Sequence, residues 1–70
     1  MTETAAAEFI ATTLLTIVTT YEYHSLDALL SDNHGATARE VVEDTARNLR
    51  IKVDDELYAA GVAEARELVS

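Results

Sequence analysis

The sequence predicts an all-α fold: a small bundle of three helices, or four with a short extra segment, whose long N-terminal helix packs against a second copy as a homodimer. Three observations carry this expectation. Apolar residues recur at spacings of three and four and do not alternate. Proline is absent and glycine occurs twice in 70 residues. Capping residues precede two of the periodic runs. A chain of this length is expected to form one domain, residues 1–70, and without cysteine it has no disulfide or thiolate metal site to staple it. Its hydrophobic content of 49% fits a packed core and exceeds that of a disordered acidic tail.

Residues 3–23 hold strand-favouring types: Ile10, Ile17, Val18, Tyr21, Tyr23 and several threonines. Ala7, Ile10, Leu14, Ile17 and Tyr21 nevertheless share one helical stripe, broadened by Ala11, Leu15 and Val18. The end of this helix has two readings. It stops near Tyr23 and Ser25 caps a segment from Leu26 to Leu30, or it runs unbroken to Ser31. Ser31-Asp32-Asn33-His34-Gly35 is the main expected turn.

Thr37-Ala38-Arg39-Glu40 reads as the capping box of a second helix, residues 37–50. Ala38, Val41, Val42, Thr45, Ala46 and Leu49 form its apolar face, and Arg47 and Arg50 suit the negative end of its dipole. Asp54 is the candidate cap of a third helix, residues 55–69, with Leu57, Tyr58, Gly61, Val62, Ala65, Leu68 and Val69 facing inward. Gly61 costs such a helix about 1 kcal/mol relative to Ala, so a close backbone neighbour is expected there.

Length raises the question of assembly. A helix from Glu3 to Ser31 would measure about 43 Å, whereas a globule of this size is only about 30 Å across. An unbroken first helix would leave apolar surface that a second chain must cover, most simply across a two-fold axis. Ala7, Ile10, Leu14, Ile17, Val18 and Tyr21 are the expected seam. A break near His24 shortens the helix to roughly 30 Å and fits a monomer.

The net charge is −8, and the first 36 residues contain no Lys or Arg. The longest uncharged run, Phe9 to Tyr21, is too short to span a bilayer, and no basic segment precedes it as a secretory signal requires. A cytoplasmic protein is expected. Catalytic motifs are missing: there is no cysteine, no glycine-rich loop and no nucleophile elbow, so no enzyme and no cofactor are expected. His24 with Asp27, and Asp32 with His34, fall short of a closed metal site, so no metal is expected.

Three functions remain. The first is a small non-enzymatic interaction module that self-associates and offers Glu40, Glu43, Asp44, Glu64 and Glu67 to a protein partner with a basic surface. The second is an acidic inhibitor that imitates nucleic acid, in the manner of small phage-type accessory proteins that block DNA-binding enzymes. The third comes from Leu49-Arg50-Ile51-Lys52-Val53-Asp54-Asp55-Glu56-Leu57, which alternates apolar and basic residues before an acidic helix start. This stretch resembles the strand-to-helix entry of ribbon-helix-helix regulators, which implies Arg50 and Lys52 as base-reading side chains. One helix follows it where that fold has two. The acidic surroundings also oppose phosphate contact, so nucleic acid is not an expected partner.

Overall fold

The structure, a computed structural model, describes residues 2–31 and 34–69, with residues 34–36 as backbone only. It is all-helical: α1 spans Glu3–Thr20, α2 Leu26–Leu30, α3 His34–Asn48 and α4 Asp55–Leu68. No strand occurs among the described residues. The expected fold class is the observed one, and the short extra segment exists as α2. The capping box does not open α3. That helix begins at His34, three residues ahead of Thr37, and Asp32 and Asn33 of the expected turn lie outside the described residues.

Strand-favouring composition gives a helix in α1 because its threonines can satisfy themselves locally. The hydroxyls of Thr13, Thr16 and Thr19 donate to the carbonyls of Phe9, Thr12 and Leu15, four residues back, at 2.9, 2.8 and 3.1 Å. Thr2 caps the N-terminus by accepting from the Ala5 amide at 3.1 Å. The helix then stops without glycine or proline. Glu22 takes a left-handed φ of 55°, its amide bonds Thr19 O at 3.3 Å, and the Tyr23 amide bonds Val18 O at 2.9 Å. This pair of bonds is a Schellman closure, with glutamate in the seat that glycine usually takes. Ser25 then caps α2 through the Ala28 amide at 3.1 Å.

α3 ends in the same way. Arg50 adopts a φ of 60°, its amide bonds Arg47 O at 3.0 Å, and the Ile51 amide reaches Ala46 O at 2.9 Å. Asp54, the expected cap of α4, accepts from the Leu57 amide at 2.7 Å. The Leu49–Leu57 stretch is therefore a helix end, a short link and a helix start. Within this chain the stretch forms no strand.

α1 is the axis of the core. Ile10, Ala11 and Leu14 are fully buried on it, and they meet Leu26 and Leu29 of α2, Ala38 and Val42 of α3 and Ala65 of α4. Each of the largest, Ile10, Leu14, Leu29 and Val42, contributes about 1.5–3 kcal/mol by leaving water. The molecule measures 31 × 23 × 19 Å, and an 18-residue α1 is about 27 Å long, so α1 fits the long axis without overhang. The turn between Tyr21 and Ser25 thus removes the excess length for which a second chain was expected.

α4 packs chiefly on α1, and Gly61 sets how closely. A Cβ placed at Gly61 would fall 2.6 Å from the Cβ of Ile10 and closer still to its Cγ2. Ile10 is fully buried and β-branched, so it cannot swing aside. The expected close approach is present, and its neighbour is the Ile10 side chain, with Ala7 O 3.5 Å away.

Two stability predictions follow from these contacts. Gly61→Ala gains about 1 kcal/mol of helix propensity but loses more to overpacking, for a net destabilisation of about 1–2 kcal/mol in denaturant melts. In an Ile10→Ala background the same change should cost much less, and equal costs in both backgrounds would contradict the contact. Glu22→Gly and Arg50→Gly should each stabilise by about 0.5–1 kcal/mol, read as a melting temperature several degrees higher. An unchanged or lower melting temperature would mean that these side chains do more than end a helix.

Candidate interaction surface

The cations of this chain are divided between two roles. Arg39 Nε donates to Glu43 at 2.9 Å and its Nη2 to Asp55 at 2.6 Å, tying α3 to the start of α4. Its guanidinium also lies 5.1 Å from the centre of the Tyr58 ring. The two carboxylates hold the Arg39 pKa above its ordinary value, Asp55 foremost and then Glu43. Arg66 meets Asp27 at 2.7 Å, linking α4 to α2, and Arg47 meets Asp44 at 3.2 Å. These pairs are largely exposed and add at most about 1 kcal/mol each. Among the described residues, Arg50 and Lys52 enter no ion pair.

The expected acidic surface is split by these pairs. Glu40, Glu43 and Asp44 lie on α3, and Glu64 and Glu67 on α4. Glu43 and Asp44 already face Arg39 and Arg47, whereas Glu40 is exposed and enters no ion pair among the described residues. Glu3, Glu8, Glu22 and Glu56 are exposed in the same way.

The expected oligomer seam is largely internal. Ile10, Leu14 and Ile17 belong to the chain's own core, and Ala7 and Val18 are half-buried. Tyr21 alone of that group stands out, at 70% exposure. The stripe was real, but α2, α3 and α4 of the same chain cover it once α1 ends at Thr20.

An apolar cleft opens where the ends of α1 and α2 meet the first turns of α3. Ile17 and Leu29 form its floor, Tyr21, Tyr23, Thr37 and Val41 its walls, and it encloses about 190 Å³. Val41 is 40% exposed although it was placed on the apolar face of its helix. Exposed Glu22 follows Tyr21 in the chain, and exposed Glu40 precedes Val41. Aromatic walls around an apolar floor, with exposed glutamates next in the chain, suit an apolar side chain carried beside positive charge.

The other end of α3 carries the opposite character. Arg50 and Lys52 border a wider groove of about 590 Å³, together with Leu49, which is 50% exposed. Glu3, Asp54 and Glu56 also line this groove, which weakens it as a seat for phosphate. Among the described residues no group of three or more His, Cys, Asp or Glu side chains could hold a metal ion. His24 is exposed. The His34 and Asp32 side chains lie outside the described residues. No helix is long and apolar enough to cross a membrane among the described residues.

Tyr58 packs against the core. Its hydroxyl is buried with no hydrogen-bond partner, and burial pushes its pKa up against the pull of Arg39. Tyr58→Phe should leave stability unchanged or raise it by up to about 1 kcal/mol, since no bond is lost. Because the folded-state pKa is raised, the parent is stabilised fully below the unfolded phenol's pKa of about 10 and loses that stability as pH climbs past it. The advantage of Tyr58→Phe in urea melts should therefore widen above pH of about 10, and a constant difference would refute the burial of this hydroxyl. Compared with protein-family models, with curated proteins and with solved structures, the chain finds no match.

Proposed function

We propose that this chain is a small non-enzymatic interaction module that self-associates and engages a protein partner with a basic surface. The observation that carries the reading is the division of charge. Arg39, Arg47 and Arg66 are spent on contacts within the chain, while Glu3, Glu8, Glu22, Glu40 and Glu56 face solvent and enter no ion pair among the described residues. A surface of that kind on short, well-capped helices attracts a cationic partner at long range and speeds its capture. Cytoplasmic residence belongs to the same reading.

Affinity capture from a cell extract on the immobilised chain tests it. Raising salt from about 0.1 M to about 1 M shortens the Debye length from about 10 Å to about 3 Å, so captured partners should be basic and should elute across that range. A chain carrying Glu40→Gln, Glu64→Gln and Glu67→Gln should retain them less well. Capture indifferent to both changes would sink the proposal. Competition by duplex DNA separates a partner whose basic cleft otherwise holds nucleic acid from one whose surface does not.

A further inference from the structure

We infer that self-association, on the reading just proposed, runs through the two ends of α3: the turn Leu49–Lys52 of one copy seats in the Tyr21–Val41 cleft of another. The two sites differ in character: the cleft is apolar, and the turn carries an exposed leucine and two cations, with Glu3, Asp54 and Glu56 on its groove side. The cleft offers an apolar floor, two tyrosines and an enclosed volume of about 190 Å³. Glu22 and Glu40, next in the chain to its walls, are exposed and unpaired among the described residues.

The turn offers a 50% exposed Leu49 followed by Arg50 and Lys52. In a chain of net charge −8, these are the two cations left without an ion pair among the described residues. Among the described residues, no other segment places an exposed bulky apolar residue directly before unpaired positive charges. The turn is also held ready, by the Schellman bonds behind it and the Asp54 cap ahead of it, so docking costs little ordering. Elsewhere two such acidic copies repel, which selects this one mode of approach.

The cleft and the turn do not meet within one copy, since along the helix Leu49 lies about 12 Å from Val41, the nearest cleft residue on α3. The contact therefore joins different surfaces of two molecules, and each copy keeps one cleft and one turn. This gives a test by complementation. Val41→Glu disables the cleft and leaves the turn. Leu49→Ala with Lys52→Glu disables the turn and leaves the cleft. All three positions are exposed, and far-UV circular dichroism verifies that both variants keep their helices.

Sedimentation equilibrium up to about 1 mM chain should show the parent associating, each variant alone at least about tenfold weaker, and an equimolar mixture of the two regaining association. Glu22→Gln with Glu40→Gln should weaken the parent about threefold and flatten its salt dependence. A parent that stays a single chain at about 1 mM, a variant that associates as the parent does, or a mixture no better than its parts would each overturn the inference. A parent that stays single yet still captures basic partners would leave the interaction-module reading standing without its self-association.

Discussion

The depth to which α4 can sink onto α1 governs everything else in this molecule. At Gly61 the missing side chain lets the α4 backbone rest against Ile10, and Ala65 one turn later continues the same shallow face. Close axes let two helices bury each other with small residues, which a 70-residue chain without disulfide or metal staples requires. The rest is arranged around that pair. α2 and α3 close the remaining side of α1 with Leu29 and Val42, and Arg39 and Arg66 tie the two ends of α4 back to α3 and α2.

The chain reversals show a second economy. The ends of α1 and α3 are closed by Schellman bonds, and both left-handed seats hold charged residues, Glu22 and Arg50. Neither position needs glycine to be formed, because the bonds to Val18 and Ala46 carbonyls and the burial behind them outweigh a left-handed backbone cost of about 1–2 kcal/mol. Each seat pushes a charged side chain outward beside an exposed apolar one, Tyr21 at one end and Leu49 at the other. The same local geometry thus ends two helices and places the residues of the proposed contact.

Much of the fold was legible because helical periodicity survives when composition misleads. The stripe from Ala7 to Tyr21 outweighed its threonines, and Asp54 and Ser25 announced their helices by capping chemistry. The end of α1 was ambiguous for a physical reason: a glutamate carries no signal that it will take a left-handed φ. The capping box at Thr37 misled because a side-chain pattern at a helix start is also found one turn inside it.

The site was harder to read. Ala38, Val41, Val42, Thr45, Ala46 and Leu49 are all apolar or nearly so, and they wrap too widely around α3 for all of them to face inward. The core took the Ala38–Val42–Ala46 line, one residue per turn, and left Val41 at the surface, while Leu49 is exposed because it lies past Asn48, the last residue of α3. Which line wins depends on the neighbours, and a single helix cannot reveal that. In α4, Gly61 and Ala65 are buried, while Leu68, its last residue, and Val69 beyond it remain 57% and 59% exposed.

A core built from Ala6, Ala11, Ala38, Ala46, Ala65 and Gly61 has a consequence for how this sequence can drift. Large-to-small changes find little to remove at these positions, and small-to-large changes find no space, so substitution there is closed in both directions. The exposed Tyr21, Val41, Leu49 and Lys52 have no such constraint and can vary freely unless a bound partner restrains them. In diverged copies of this chain, the interior should therefore read as a fixed ladder of small residues. Any constancy at Tyr21, Val41, Leu49 or Lys52 would report selection on contact between molecules, since the fold alone does not demand it.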